Sequence, residues 1–391
     1  MNDIAIARLS GDDEEVGAYS GILSWAFSVD VETVPAWLAR AGHDNVRLAR
    51  RGSRIAGGLI QIPMGQWFGG RSVAMSGIAG VAVGPEHRGR GAAISLMRAS
   101  VVELAEARVA LSVLYPATLA LYRKAGYEPA GSRFRCSVRT RDIPTGSREL
   151  DVRSVDESDH EAISAMYAGF ARDQNGYLDR GAYIWNRVRQ PRAAPAQGYL
   201  VESDGRLEGY LFIQQTRTQR GHYDLGVVDL AASTPRAGRA LLGVVAEHRT
   251  LGDTTVFSCG AADPVLSLLP ERYGCELADH WMLRVTDAEA ALGARGYPVA
   301  TNARLELELD DDLVPHNRGR FVLEVEDGQG RLSRGGNGTL RTGPRGLAAL
   351  YTGFMHPASL ARAGLVEGDE RALAKAAALF AGAAPCMRDH F

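Results

Sequence analysis

The string Val81-Ala82-Val83-Gly84-Pro85-Glu86-His87-Arg88-Gly89-Arg90-Gly91-Ala92-Ala93 carries the strongest chemical signal in the chain. A valine-rich run enters a basic, glycine-rich turn, and an apolar periodic stretch leaves it. The first turn of a helix has unpaired backbone N–H groups and partial positive charge. Glycines let that backbone approach a ligand, so a pyrophosphate fits such a turn. Two other phosphate loops do not match. There is no Gly-Lys-Ser/Thr for a nucleoside triphosphate. Gly89-x-Gly91-x-x-Ile94 lacks the third small residue of a dinucleotide fingerprint, and no acidic residue ends the next strand about 20 residues on.

What matches is Arg-x-x-Gly-x-Ala at Arg88, Gly91 and Ala93. It resembles the acetyl-CoA signature of the GNAT N-acetyltransferases. A second element, Leu121-Tyr122-Arg123-Lys124-Ala125-Gly126-Tyr127-Glu128, follows a helix and one short strand, where these enzymes carry a Tyr near the coenzyme sulfur. The resemblance makes Tyr122 the general acid, because an amine attacking a thioester expels a thiolate that a phenol can protonate. Tyr127 reads as a core residue of the next strand.

The elements that must hold these groups follow from periodicity. Val46–Ala49, Ile55–Gln61 and Ser72–Val83 are strand-like. Ile94, Met97, Val101 and Leu104 share one face of a helix from Ala92 to about Arg108. A short apolar run (Leu111–Tyr115), a helical stretch (Thr118–Ala125) and a left-handed cap at Gly126 come next. The segment Arg139–Arg148 reads as a linker. Residues after it repeat the order: a helix over Asp159–Arg172, strands at Tyr199–Glu202, Gly209–Gln214 and Gly226–Leu230, a helix over Arg239–His248, and a strand at Thr254–Cys259. Val228-Asp229-Leu230 can be laid on Val81-Ala82-Val83 and Gly238 on Gly91. In that alignment Pro235 replaces Arg88 and Pro270 replaces Tyr122. Proline offers neither a cation nor an acidic proton, so the second copy reads as a GNAT shape without the chemistry. The last segment alternates strictly over Leu305–Leu309, has a strand at Phe321–Glu326, and then a helix capped by Asp369 that runs to about Phe380. His356-Pro357 begins another helix. Strands followed by helices suggest an α+β unit.

Together these features resemble the Eis (enhanced intracellular survival) acetyltransferases over nearly the whole chain. The implied fold class is α/β and α+β: tandem GNAT domains, each a mixed sheet flanked by helices, plus a C-terminal domain like a sterol carrier protein. The implied domains are 1–145 (catalytic), 146–288 (degenerate) and 289–391. The resemblance implies acetyl-CoA as co-substrate and no metal. Val81, Ala82 and Val83 would pair with the pantetheine arm. Arg88, Gly89, Arg90, Gly91, Ala92, Ala93 and Ile94 would wrap the pyrophosphate, and Ala117 and Thr118 would lie near the arm's far side. It also implies a base at the α-carboxylate of Phe391, although an α-carboxyl with a pKa of roughly 3.3–3.7 is a weak base unless burial raises it. Trp25, Phe27, Trp37 and His390 fall in the implied amine pocket. Antibiotic-modifying members carry an acid where this chain has His390, so aminoglycosides are one candidate acceptor and lysine-like amines another. The family expectation for assembly is a homohexamer. A lipid-binding scaffold built on the last domain is the alternative.

The composition agrees with an enzyme of this kind. With 44 basic and 46 acidic residues the net charge is −2, which argues against nucleic acid or anionic membranes as partners. No apolar run reaches a membrane span, and no signal peptide opens the chain, so a cytoplasmic location is expected. Cys136, Cys259, Cys275 and Cys386 read as small apolar fillers. Asp310-Asp311-Asp312 reads as a solvated turn.

Overall fold

The computed structural model describes residues 4–145, 149–191, 195–218 and 221–391. The chain divides into two compact units. One comprises residues up to Gly131 with Trp281–Gly382 and His390–Phe391, and the other comprises Ser132–His280 with Ala383–Asp389.

The first segment runs β1 (Ala5–Arg8), α1 (Asp13–Phe27), α2 (Val34–Ala41), β2 (Val46–Arg51), β3 (Arg54–Phe68), β4 (Arg71–Val83), α3 (Ala92–Glu106), β5 (Leu111–Leu114), α4 (Leu119–Arg123) and β6 (Glu128–Arg139). The second runs β7 (Asp151–Ser154), α5 (His160–Ala171), β8 (Leu178–Asp179), α6 (Ala182–Arg189), β9 (Gln197–Ser203), β10 (Arg206–Arg217), β11 (Tyr223–Ala232), α7 (Pro235–Ala246), β12 (Gly252–Cys259) and β13 (Gly274–Val285). The third runs α8 (Ala288–Ala294), β14 (Ala303–Leu309), β15 (Gly319–Glu326), β16 (Gln329–Arg334), β17 (Leu340–Thr342), α9 (Pro344–Thr352), α10 (Pro357–Arg362), β18 (Val366–Gly368) and α11 (Glu370–Leu379).

In the first unit the strand order is β1-β2-β3-β4-β5, antiparallel except for parallel β4 and β5. The end of β13 adds beside β5, with Met282 opposite Leu114 and Val285 opposite Leu111. The second unit repeats the plan as β7-β9-β10-β11-β12, again with one parallel pair, β11 and β12. There the end of β6 lies beside β12. The repeat seen in the sequence is thus a repeat of topology. α3 packs on one face of the first sheet, its Leu96, Met97, Val101 and Leu104 buried with Leu59, Ile78, Tyr122 and Tyr127. The third segment forms a five-stranded sheet ordered β16-β15-β14-β17-β18. The alternation of Leu305, Leu307 and Leu309 faces its core, and His356 and Asp369 cap α10 and α11 as expected.

Three expectations need correction. The acidic run is not simply a solvated turn, because Asp311 is buried. It receives both Oδ hydrogen bonds from Nη2 of the buried Arg284, at 2.7 and 2.6 Å, and further ones from the Leu313 and Val314 N–H groups. A buried guanidinium must have a counter-charge, and Asp311 supplies it. Cys275 is exposed on β13, unlike the other three cysteines. The expected linker begins inside structure: Arg139 ends β6, and the buried Thr140 hydroxyl bonds that of Thr255 at 2.9 Å. Residues 146–148 of that stretch lie outside the described residues.

The Arg284–Asp311 pair ties the end of β13 to the third segment, within the first unit. Asp311→Ala leaves a cation in a dry interior and is expected to cost about 3–5 kcal/mol. Denaturant titration should show an earlier midpoint, and adding Arg284→Met should recover part of the loss.

Candidate active site

The site is built on β4. Its parallel pairing with β5 covers Met75–Gly77 against Leu111–Val113, while β4 continues to Val83. Among the described residues no strand pairs with Ile78–Val83 on that side. A wedge therefore opens between the two strands. On the other side, Gly58 pairs with Ala82 but Ile60 pairs with Ala79, so β4 carries one extra residue. The bulge falls at Gly80, whose φ of 61° suits glycine. Its carbonyl accepts a 2.7 Å hydrogen bond from the buried Tyr19 hydroxyl on α1.

At the open end of β4 the chain turns through Pro85–His87 into α3. Gly91 is the N-cap residue, at φ 90°, and offers no side chain to the first N–H groups of the helix. The first bond back to Gly91 comes from Ser95, at 3.0 Å. A Cβ on Gly89 would meet nothing within 4 Å. Arg88 and Arg90 are exposed, with Arg88 Nε on the Val83 carbonyl at 3.2 Å. Uncapped donors, open space and flanking cations suit a pyrophosphate. Val81, Ala82 and Val83 border the wedge, and Ala117 and Thr118 follow β5 on its other side.

Tyr122 and Phe391 flank this wedge from opposite faces of the sheet. Ile78 points into the core beneath α3, where Tyr122 lies. By alternation Gly77 faces the other way. A Cβ there would fall 2.7 Å from Phe391 Cε2 and 2.9 Å from both Phe391 Cζ and Met64 Cε. Burial pushes the Tyr122 phenol up to about 12, so it holds its proton across the neutral range. Phe391 is buried, so the tail is seated although it lacks helix or strand. His390 stacks on Tyr115, with centroids 4.7 Å apart and planes at 17°. Tyr115 also stands 6.2 Å from the Phe391 ring.

Of the other expected pocket residues, Phe27 and Trp37 meet edge to face at 6.4 Å. Trp25 lies on the solvent side of α1 and is 74% exposed. Asp389, one residue before His390, gives its carboxylate to Arg180 at 2.8 Å. Sequence reasoning missed Tyr115, Gly77, Gly80 and Tyr19. The two glycines were the available signal, since glycine inside a strand marks a bulge or a close approach.

The second copy departs from its expected alignment. β11 runs on to Ala232 and α7 begins at Pro235, so Gly238 lies inside the helix and does not cap it. The cap is Thr234, whose hydroxyl accepts from Ala237 N. Glu208 sits beside it, accepting from the Thr234 hydroxyl at 2.7 Å and from Arg236. No helix spans Leu269–Tyr273, where the tyrosine helix was aligned.

Comparisons with known proteins agree with this architecture. Acetyltransferase (GNAT) domain models match residues 10–130 and 176–285, and a sterol carrier protein domain model matches 288–388. The structure of a GCN5-related N-acetyltransferase from Anabaena variabilis superposes with a TM-score of 0.94 at 36% identity, over 99% of this chain and 100% of that one. The chain belongs to the GCN5-related N-acetyltransferases. An uncharacterized N-acetyltransferase of Streptomyces avermitilis is 28% identical over 335 residues, 81% of each chain. Eis1 from Mycobacterium abscessus shares the fold, with a TM-score of 0.79 at 24% identity over 99% of this chain and 100% of that one. The protein is therefore an N-acetyltransferase with two GNAT domains and a sterol-carrier-like domain, and GNAT domains use acetyl-CoA. Among the described residues no helix is long and apolar enough to cross a membrane.

In this acetyltransferase Gly77 leaves room for the Phe391 ring. Gly77→Ala should displace the ring and, with the base expected at Phe391, lower turnover by about 10²-fold, the cost of misplacing such a group by an ångström. Steady-state kinetics should show this loss while calorimetric affinity for acetyl-CoA stays unchanged.

Proposed function

We propose that the protein is an Eis-like enzyme that acetylates primary amines by direct attack in a ternary complex, using the first GNAT domain. The observation that carries this reading is the pair Tyr122 and Phe391 on opposite faces of one open wedge, beneath an uncapped glycine turn. Val81–Val83 bind the pantetheine arm through backbone groups that β5 leaves unpaired, and Arg88–Ile94 hold the pyrophosphate. Bound acetyl-CoA supplies the acetyl group as a thioester. The amine nitrogen forms the new C–N bond as the C–S bond breaks. Tyr122 donates its phenolic hydrogen toward the departing sulfur, and nitrogen gives up one proton. The main-chain carboxyl group of Phe391 orients the amine and takes up that proton. The second GNAT domain binds no coenzyme in this reading, because Thr234 and Glu208 already fill the helix end.

Tyr122→Phe tests the assignment. It should lower kcat about 10²-fold or more with acetyl-CoA binding unchanged. The sign of the pH effect follows from burial. Because the Tyr122 pKa is raised to about 12, the acid form persists as pH rises. kcat/KM should climb as the amine deprotonates and show no falling limb up to about pH 10, below that pKa. Residues appended after Phe391 should abolish turnover without unfolding the protein. Full activity of such a fusion would remove Phe391 from the mechanism.

A further inference from the structure

We propose that the first unit holds a second anion site, separate from the coenzyme wedge, that takes a phosphate or pyrophosphate between the end of α4, β13 and the start of α9.

A cavity of about 350 Å³ opens where the turn after α4 meets the third segment. All of its lining belongs to one compact unit. No residue of 81–94 lines it, nor does Ala117 or Thr118, so it is a different place from the proposed coenzyme site. The group that points to a ligand is Arg284, whose side chain is 1% exposed. Its Nη2 meets Asp311, and its Nη1 donates to the Val285 carbonyl at 3.0 Å. Its Nε is buried and has no hydrogen-bond partner among the described residues. A buried guanidinium N–H without an acceptor is costly, so this position calls for one. Nε faces the cavity at Gly126. A Cβ on Gly126 would stand 2.9 Å from Nε and 3.0 Å from Pro344 Cβ and Cγ. The absent side chain is what leaves the space in front of Nε open.

Another wall is the first turn of α9. Its cap residue, Gly343, has no side chain to meet the helix N–H groups, and Pro344 has no N–H of its own. The N–H groups of Arg345 and Gly346, which also line the cavity, are therefore without a side-chain cap. Arg98 of α3 and Lys124 line it as exposed cations, and neither forms an ion pair among the described residues. The carboxylates are engaged or hydrated. Asp311 is held by Arg284 and by the Leu313 and Val314 N–H groups. Glu128 lies between Arg123, whose Nε reaches both its oxygens at 3.1 Å, and Arg345 Nε at 2.5 Å. Asp312 is exposed. Against these three acids stand Arg98, Arg123, Lys124, Arg284 and Arg345, which leaves an excess of two positive charges. A dianion balances that excess, and a halide or monocarboxylate does not. Phosphate oxygens also suit both a guanidinium N–H and the N–H groups of a helix start.

The test is calorimetry on the full chain saturated with CoA, so that the coenzyme wedge is filled before the anion is added. At constant ionic strength sodium pyrophosphate should bind one per chain and raise the Tm, and sodium chloride should do neither. The double variant Arg98→Ala/Lys124→Ala should weaken pyrophosphate at least about tenfold, the scale of lost hydrogen bonds to a charged group. Its affinity for CoA should stay unchanged, and Lys124→Arg should keep pyrophosphate binding. No binding of pyrophosphate to the CoA-loaded chain would overturn the site. Unchanged pyrophosphate affinity in the double variant would also overturn it. An equal loss of CoA affinity would make the cavity part of the coenzyme site and overturn its separateness. Citrate binding as tightly as pyrophosphate would overturn the phosphate class.

Discussion

Everything at the site depends on β4 and β5 ceasing to pair after Gly77 and Val113. Parallel strands would otherwise close on each other, and β4 would have no backbone to offer. The extra residue at Gly80 turns the end of β4 out of register, and the Tyr19 hydroxyl holds that carbonyl. An unpaired strand edge is normally a liability, since each unmet buried group costs about 1–3 kcal/mol. In the proposed reading the open edge is the recognition surface, because a ligand with amide groups can add to it as a strand would. The wedge also gives access from both faces of one sheet. Tyr122 and the Phe391 ring thus flank the wedge from opposite faces.

The second copy shows what the wedge becomes when the protein supplies its own partners. β11 and β12 pair through Val227 and Phe257 and then part, as β4 and β5 do. Arg388 Nη1 donates to the Leu230 carbonyl at 2.9 Å, on the strand edge that corresponds to Val81–Val83. Thr234 caps the helix and Glu208 places a carboxylate at its start, the position proposed for a phosphate in the first copy. Inside this unit Arg180 bridges Asp229 and Asp389. Burial works against the charge on Asp229, but the guanidiniums of Arg180 and Arg388 hold its carboxyl below the usual range. A cluster this dry is costly to assemble and rigid once formed. It holds Asp389 within this unit.

The sequence carried the parts of this plan that rest on local rules. The glycine turn, the α3 stripe, the Leu305–Leu309 alternation and the caps at His356 and Asp369 each have a short-range signature, and each is where it was expected. What escaped depends on contacts distant in sequence. Asp311 is buried only because Arg284 is. The placement of Gly238 on Gly91 failed because the second loop is shorter, and a weak alignment absorbs a deletion silently. Tyr115 is one residue past a strand and gains meaning only when the tail arrives on it. Gly77 is legible in hindsight, as a strand glycine that makes room for a ring more than 300 residues away in the chain.

In the proposed mechanism, the raised pKa of Tyr122 constrains how its proton can move. A thiol has an unperturbed pKa of about 8.5, while burial holds the phenol near about 12. Complete transfer from phenol to thiolate would then be uphill by roughly 5 kcal/mol, at 1.36 kcal/mol for each pKa step. A standing phenolate is therefore not a resting product. The favourable course is for the phenol to give a hydrogen bond to sulfur as charge develops there, where a dry setting strengthens the bond. The transfer is completed only as nitrogen sheds its own proton, so that the loss at nitrogen offsets the gain at sulfur. Over the cycle one proton leaves nitrogen, one arrives at sulfur, and Tyr122 ends as it began. Burial therefore keeps the Tyr122 phenol protonated, as the proposed role of proton donor requires.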